Sequence, residues 1–254
     1  AGAGRAHPGR DTGRDIAAAD PPEEARLAGP AHGLTRMPDA TGARAQQKLG
    51  EGLQALGLPP EPAKVARLLE FLALLAKWNR TYNLTAIDDP LEMVSRHLLD
   101  SLSIAPHLCG QRILDVGSGA GLPGIPLAIW FPGREFHLLD SNGKKIRFLF
   151  QARLALALTN VTVHQARAEA LDDARGFDCV TSRAFASLAD MIRVSGHLLA
   201  PGGCLLAMKA SLDEEEVAAV TTPYTVASRT QLAVPGISAQ RQLLKITRQG
   251  MAAQ

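Results

Sequence analysis

Apolar residues recur at three- and four-residue spacing through Val65–Trp78, where Leu68, Leu69, Leu72, Leu75 and Ala76 form one stripe and Pro62 stands near its start. That period predicts an amphipathic helix with proline in its first turn. A polar run, Trp78-Asn-Arg-Thr-Tyr82-Asn83-Leu-Thr85, interrupts it. A second helix is predicted from about Pro90 to Ala105, carrying Arg96, His97, Asp100 and Ser101. After Cys109-Gly110 the texture changes to short apolar runs alternating with helical stretches. Arg112–Val116, Glu135–Leu139 (closed by Asp140), Val161–His164, Phe177–Thr181 and Cys204–Met208 read as strands. Helices through Ile129, from Lys144 to about Leu158 and over Leu188–Leu199 fall between them, and Pro201-Gly202-Gly203 reads as a turn into the fifth strand. Such alternation implies a parallel sheet covered on both faces. Two further strands, about Tyr224–Leu232 and Gln242–Thr247, joined through Pro235-Gly236, suit an antiparallel edge. The expected class is α/β: a doubly wound, mostly parallel sheet with an N-terminal helical cap and an antiparallel C-terminal edge. The expected division is 1–44 as an extension without order, 45–108 as the cap and 109–254 as the core.

The extension stands apart by composition. Residues 1–36 are mainly Ala, Gly and Pro with scattered charges, too little apolar surface to offset the entropy of ordering. They lack the apolar centre of a signal peptide, and Asp11, Asp15, Asp20, Glu23 and Glu24 argue against a transit peptide. Met37 is the first methionine and a candidate natural start; residues before it in the intact mass of protein from its native source would exclude that. Over the whole chain the composition is ordinary for a globular protein, 46% hydrophobic and 20% charged, and the net charge of +2 permits a nucleic-acid partner without demanding one. Cys109, Cys179 and Cys204 have neither disulfide nor zinc spacing and read as packing residues in a reducing cytoplasm. No metal is implied. The longest apolar run, Leu122 to Phe131, is broken by Pro123, Gly124 and Pro126, short of the ~20 residues that span a bilayer.

Candidate chemistry concentrates in the turn after the first strand, Asp115-Val-Gly117-Ser-Gly119-Ala-Gly121-Leu-Pro-Gly124. Glycines between a strand and a helix let backbone approach a ligand, with helix N–H groups aimed at it. The turn fits two cofactors. Gly119 to Gly124 matches the dinucleotide pattern GxGxxG, and Asp140 ends the second strand where a ribose-binding acid belongs, so an NAD(P)-dependent oxidoreductase is one reading. Three features favour S-adenosylmethionine. Asp115 stands at the strand end, where an acid can orient the turn and face a cationic amino acid group. Pro123 and Pro126 remove N–H donors that a pyrophosphate would use. Ala168-Glu169 follows the third strand, in place to meet an adenine edge, and Pro201-Gly202-Gly203 precedes the fifth.

Several blocks extend this reading. They are Trp78 through Thr85, Arg96-His97-Leu-Leu-Asp100-Ser101, Asp115 through Pro126, Leu138-Leu-Asp140-Ser141 and Ser182-Arg183-Ala-Phe185-Ala-Ser187-Leu. In these blocks the chain resembles the ribosomal RNA small-subunit methyltransferase G family, also called glucose-inhibited division protein B, from about Trp78 to Lys209. The segment before about Gln46 has no counterpart. The resemblance implies a class I, Rossmann-like methyltransferase that modifies N7 of a guanine in small-subunit (16S) ribosomal RNA. It implies that Gly117, Leu122, Ala168, Glu169 and Arg183 line the cofactor site with Asp140 on the ribose. Asp115 and Gly119 complete the expected set. Ala168 replaces a larger apolar residue common in the family, and Asn142 precedes Gly143-Lys144-Lys145; backbone contacts tolerate the first change.

Guanine N7 already offers an in-plane lone pair, so transfer to it needs placement rather than deprotonation. The absence of an Asn/Asp-Pro-Pro-aromatic block after the fourth strand agrees with that. Cys179 lies mid-strand and reads as packing rather than as a nucleophile. Arg183 and Phe185, just past the fourth strand, are the candidate catalytic pair: Arg183 for the methionine carboxylate or the guanine, Phe185 for a stacked base. Lys144, Lys145, Arg147 and Arg153, with Arg96, His97 and Arg112, are candidates for RNA phosphates. His97 equally suits a network joining cap to core, and Trp78, Tyr82 and Asn83 suit the shaping of the cap. The expected partner is small-subunit ribosomal RNA or the assembling subunit, met by a cytoplasmic monomer.

Overall fold

The computed structural model describes residues 39–183, 185, 187–211 and 213–249. Helix α1 (Asp39–Ala55) buries Ala45, Leu49 and Leu53 at four-residue spacing. The extension without order was expected to reach residue 44, but 39–44 are the first residues of α1, whose apolar stripe has somewhere to pack. The rest of the extension lies outside the described residues. Helix α2 (Pro62–Tyr82) buries Val65, Leu68, Leu72 and Leu75 and runs on through the polar stretch to a left-handed cap at Asn83. The second predicted helix is broken into pieces. Helix α3 (Pro90–Met93) passes into a π-helical turn, Val94–Leu99, then into α4 (Asp100–Leu102). A wide turn of this kind re-aims the side chains after it, and such turns concentrate at functional sites.

The sheet follows. Strand β1 (Arg112–Val116) leads through the glycine turn to α5 (Gly124–Trp130), then β2 (Glu135–Asp140), α6 (Gly143–Ala155) and β3 (Val161–Gln165). Strand β4 (Phe177–Ser182) precedes α7 (Leu188–Ser195), which ends four residues before the predicted Leu199 and passes into a tighter turn, Gly196–Leu198. Strand β5 (Leu199–Lys209), α8 (Glu214–Ala218), β6 (Tyr224–Gln231) and β7 (Gln242–Arg248) complete the chain. The strand order is β3-β2-β1-β4-β5-β7-β6, parallel from β3 to β5 and antiparallel at β5–β7 and β7–β6. This is the doubly wound, mostly parallel α/β arrangement with an antiparallel edge. The turn expected at Pro201–Gly203 lies inside β5 instead. Pairing with β4 jumps from Phe177↔Leu199 to Cys179↔Cys204, so the proline and glycines sit in a bulge and the strand continues.

Alternate side chains of each strand enter two apolar clusters. Ile113, Phe136, Leu138, Cys179, Leu206 and Leu243 join α1, α2, α5 and α6 on one face. Leu114, Leu139, Val180, Leu205 and Leu244 meet Leu188, Met191 and Val194 of α7 on the other. The N-terminal helices share one continuous cluster with α5 and α6, which anchors Arg96 to Asp100 beside the ends of β4 and β5.

Candidate functional site

The strand order reverses between β1 and β4, where β1 has β2 on one side and β4 on the other. Open α/β sheets bind ligands at the carboxyl ends of strands at such a switch point, and the glycine turn leaves β1 there. Its shape is held from within by two carboxylates. Asp115, 1% exposed, accepts from Gly124 N–H through Oδ2 at 3.0 Å. Asp140 accepts from Gly119 N–H at 3.0 Å and from Asn142 N–H at 2.8 Å. Ser118 ties the turn down further, its hydroxyl donating to the Asp115 carbonyl at 2.8 Å. Gly117 adopts φ +72° with nothing within 4 Å of where a Cβ would stand, so its backbone faces open space.

A cleft of about 400 Å³ opens over this turn, walled by Gly117, Asp140, Ala168, Glu169, Phe185 and Arg193, among others. Five of the sequence candidates thus converge. Asp115, Gly119 and Leu122 are not part of the wall: the first two shape the turn, and Leu122 is buried in the core beneath it. Glu169 is exposed, 3.9 Å from Arg193. The wall carries Asp140, Glu169 and Asp190 against Arg167 and Arg193, a slight acidic excess.

Asp115 keeps one oxygen, Oδ1, buried without a hydrogen-bond partner among the described residues. Burial pushes its carboxyl up to about 7, with Gly124 N–H opposing. The folded chain therefore takes up a proton here at pH values where the unfolded chain, near 3.8, does not. The associated stability is present below pH ~4 and is lost as pH rises through about 7. Asp115→Asn is expected to flatten that part of the curve; thermal unfolding from pH 4 to 8 that falls equally in both proteins would remove Asp115 as its source.

Arg183 turns the other way. Its Nη1 donates to the Arg96 carbonyl at 3.1 Å and lies 3.3 Å from Asp100 Oδ2. The other oxygen of Asp100 accepts from Arg241 Nε at 3.0 Å. These groups line a second cleft, of about 440 Å³, with Thr85 and His97. Asn79, at the end of α2, accepts from Thr85 N–H at 2.8 Å, and Thr85 Oγ1 lies 3.0 Å from His97 Nε2. Burial, and then the charge of Arg183, lower His97 to about 4, so it is neutral at pH 7. The polar block from Trp78 to Thr85 thus links α2 to the second cleft, and Trp78 stacks on Tyr82 with ring centres 5.0 Å apart.

The expected phosphate-binding cluster divides. Arg96 is exposed and lines the second cleft. Lys144 and Arg147 are exposed on α6, and Lys145 Nζ is 3.6 Å from Asp140 beside the first cleft. Arg112 belongs to neither. It starts β1, at the opposite end from the turn, and pairs with Asp173 at 3.0 Å and Glu135 at 3.2 Å. Sequence reasoning missed Arg241 altogether, since nothing local marks an arginine before a late edge strand. Two of the three cysteines also meet: Cys179 and Cys204 are register partners in β4 and β5, while Cys109 Sγ donates to the His107 carbonyl at 3.6 Å.

A family model described as rRNA small subunit methyltransferase G matches residues 64–244 of this chain. A protein of Nitrosococcus oceani named Ribosomal RNA small subunit methyltransferase G is 52% identical over 198 residues, 78% of this chain and 92% of that protein. A Stenotrophomonas maltophilia protein of the same name is 50% identical over 199 residues, 78% of this chain and 93% of that one. One of Shewanella amazonensis, again of that name, is 46% identical over 202 residues, covering 80% and 98%.

Proposed function

The chain belongs to the rRNA small subunit methyltransferase G family and is an S-adenosylmethionine-dependent methyltransferase of ribosomal RNA; from its two clefts we propose how its residues divide that work. The NAD(P) oxidoreductase reading finds no support in this membership. The proposal rests on one observation, the convergence of Gly117, Asp140 and Ala168-Glu169 on a single mildly acidic cleft at the switch point.

The residues present fit the cofactor. The open backbone of Gly117 admits close approach, and an acidic wall suits a ligand bearing sulfonium and ammonium charges. Asp140 spends one lone pair on each of two backbone N–H groups and keeps others for ribose hydroxyls. Ala168 and Glu169 would meet the adenine, Phe185 would wall the cleft where donor and acceptor approach, and Asp115, Gly119 and Leu122 hold the turn in shape. S-adenosylmethionine, when bound, supplies an electrophilic methyl group. The acceptor is N7 of a guanine in 16S ribosomal RNA, whose free lone pair leaves this chain only binding, orientation and the exclusion of water to perform. Lys144, Lys145 and Arg147 would add phosphate contacts along α6.

The α1–α4 segment, 45–108, acts in this reading as a cap on a core of 109–254. The protein works as a cytoplasmic monomer on free RNA or the assembling subunit. Among the described residues no helix is long and apolar enough to cross a membrane.

Calorimetric titration with S-adenosylhomocysteine is expected to show one site, and titration with NAD none. Labelled methyl transfer to small-subunit ribosomal RNA, free and within subunits, should map to N7 of one guanine. A methylated exocyclic amine or ribose would overturn the acceptor assignment, and tight NAD binding the cofactor assignment.

A further inference from the structure

The two clefts are lined by different residues and differ in charge. Arg183 faces the second and Phe185, two residues on, faces the first. The second is lined by Arg96, Arg183 and Arg241 with one carboxylate, Asp100, and by Lys209, whose ammonium is paired with Glu216 at 2.6 Å. Its apolar floor includes Ile87, Met208 and Leu232. A cationic rim over an apolar floor suits one ligand class, a nucleotide with its phosphodiester. We propose that this second cleft holds the acceptor nucleotide of the RNA, with Arg241 and Arg96 on its phosphates and Asp100 as the residue that positions Arg183 and Arg241. The inference rests on the methyltransferase reading above and assigns its acceptor side.

Two physical points carry it. The first is the geometry of Asp100. Its side chain is 4% exposed, and its two oxygens take one arginine each, Arg183 at 3.3 Å and Arg241 at 3.0 Å, while those arginine side chains stay 27% and 20% exposed. A buried carboxylate that grips two part-exposed arginines fixes both forks and leaves their remaining N–H donors for a ligand. The second is the chemistry of guanine. Arginine forks ordinarily read guanine through N7 and O6 together. Here a donor on N7 would occupy the lone pair that must receive the methyl group. Arginines at this acceptor must therefore be held on phosphate or O6, and a carboxylate that restrains them serves that end. The π-helical turn immediately before Asp100 places it there, at the junction of α4 with β4 and β7.

The test compares Arg241→Gln and Arg241→Lys with the unaltered full-length protein, using unmodified small ribosomal subunits as substrate and S-adenosylhomocysteine as cofactor probe. Arg241 is partly exposed, so its loss leaves the core intact. Arg241→Gln is expected to raise KM for subunits about tenfold and to reduce the slope of log KM against log salt by about one. The Kd for S-adenosylhomocysteine should stay within about twofold. Arg241→Lys should restore the salt slope while recovering KM only in part, because a point charge replaces a fork. Asp100→Asn should raise KM in the same direction with the salt slope kept. An unchanged KM and slope in Arg241→Gln would overturn the proposal, as would a cofactor Kd that moves as far as KM. Failure of the unaltered protein to methylate subunits would instead overturn the acceptor reading beneath it.

Discussion

Asp140→Ala is expected to weaken S-adenosylhomocysteine binding by on the order of a hundredfold, the largest effect of any single side chain in the first cleft. The carboxylate accepts from Gly119 N–H and Asn142 N–H and lies 3.6 Å from Lys145 Nζ. Hydrogen bonds to a charged group contribute ~1.5–3 kcal/mol each, so losing the two proposed ribose contacts costs about 3 kcal/mol or more, which is that hundredfold. The turn itself loses an anchor at Gly119, which adds to the defect. Calorimetry on Asp140→Ala and Asp140→Asn would read it. Binding within threefold of the unaltered protein in both would place the ribose elsewhere. Lys145→Ala, which removes only the longer ion pair, should change Kd far less.

Gly121→Ala should produce a large loss of stability. Gly121 has φ +77°, and a Cβ there would press on Ile125 Cδ1, stand 2.9 Å from Ile125 Cγ1 and 3.2 Å from Leu149 Cδ2. Both neighbours are fully buried. Left-handed backbone costs a non-glycine residue roughly 1–2 kcal/mol, and overpacking costs ~1–3 more. The expected destabilisation of ~2–5 kcal/mol corresponds to a drop in Tm of roughly 4–20 °C for a chain of this size. Gly117→Ala is the control, for it shares the left-handed backbone at φ +72° but meets nothing within 4 Å. It should lose only the backbone part while still narrowing the cleft. Equal melting of the two variants would show that the packing against Ile125 and Leu149 does not matter.

These residues also show how far local pattern reaches. Strand β1 and its turn are written in five consecutive apolar-rich positions followed by glycines, and β2, β3 and β4 are likewise short runs bounded by turn residues. Periodicity recovers such elements because burial on both faces demands it. It failed at α3–α4, where the π-helical turn leaves the spacing of apolar residues almost unchanged. It failed again at Pro201–Gly203, where a bulge lets residues that ordinarily break a strand remain inside one. The helical start at Asp39 was hidden because three small or apolar residues, Ala45, Leu49 and Leu53, suffice once a partner surface exists.

The chain by itself determined the order of its elements, the glycine turn after β1 and the family to which it belongs, since each is carried by neighbouring residues. The tertiary structure decided which side chains share a cleft. Arg183 and Phe185 read as one pair along the chain, yet they line separate clefts. Asp100 and Arg241 are 141 positions apart and meet because β7 runs between β5 and β6. Such a meeting depends on strand order and on where each connection returns, and no local spacing encodes either.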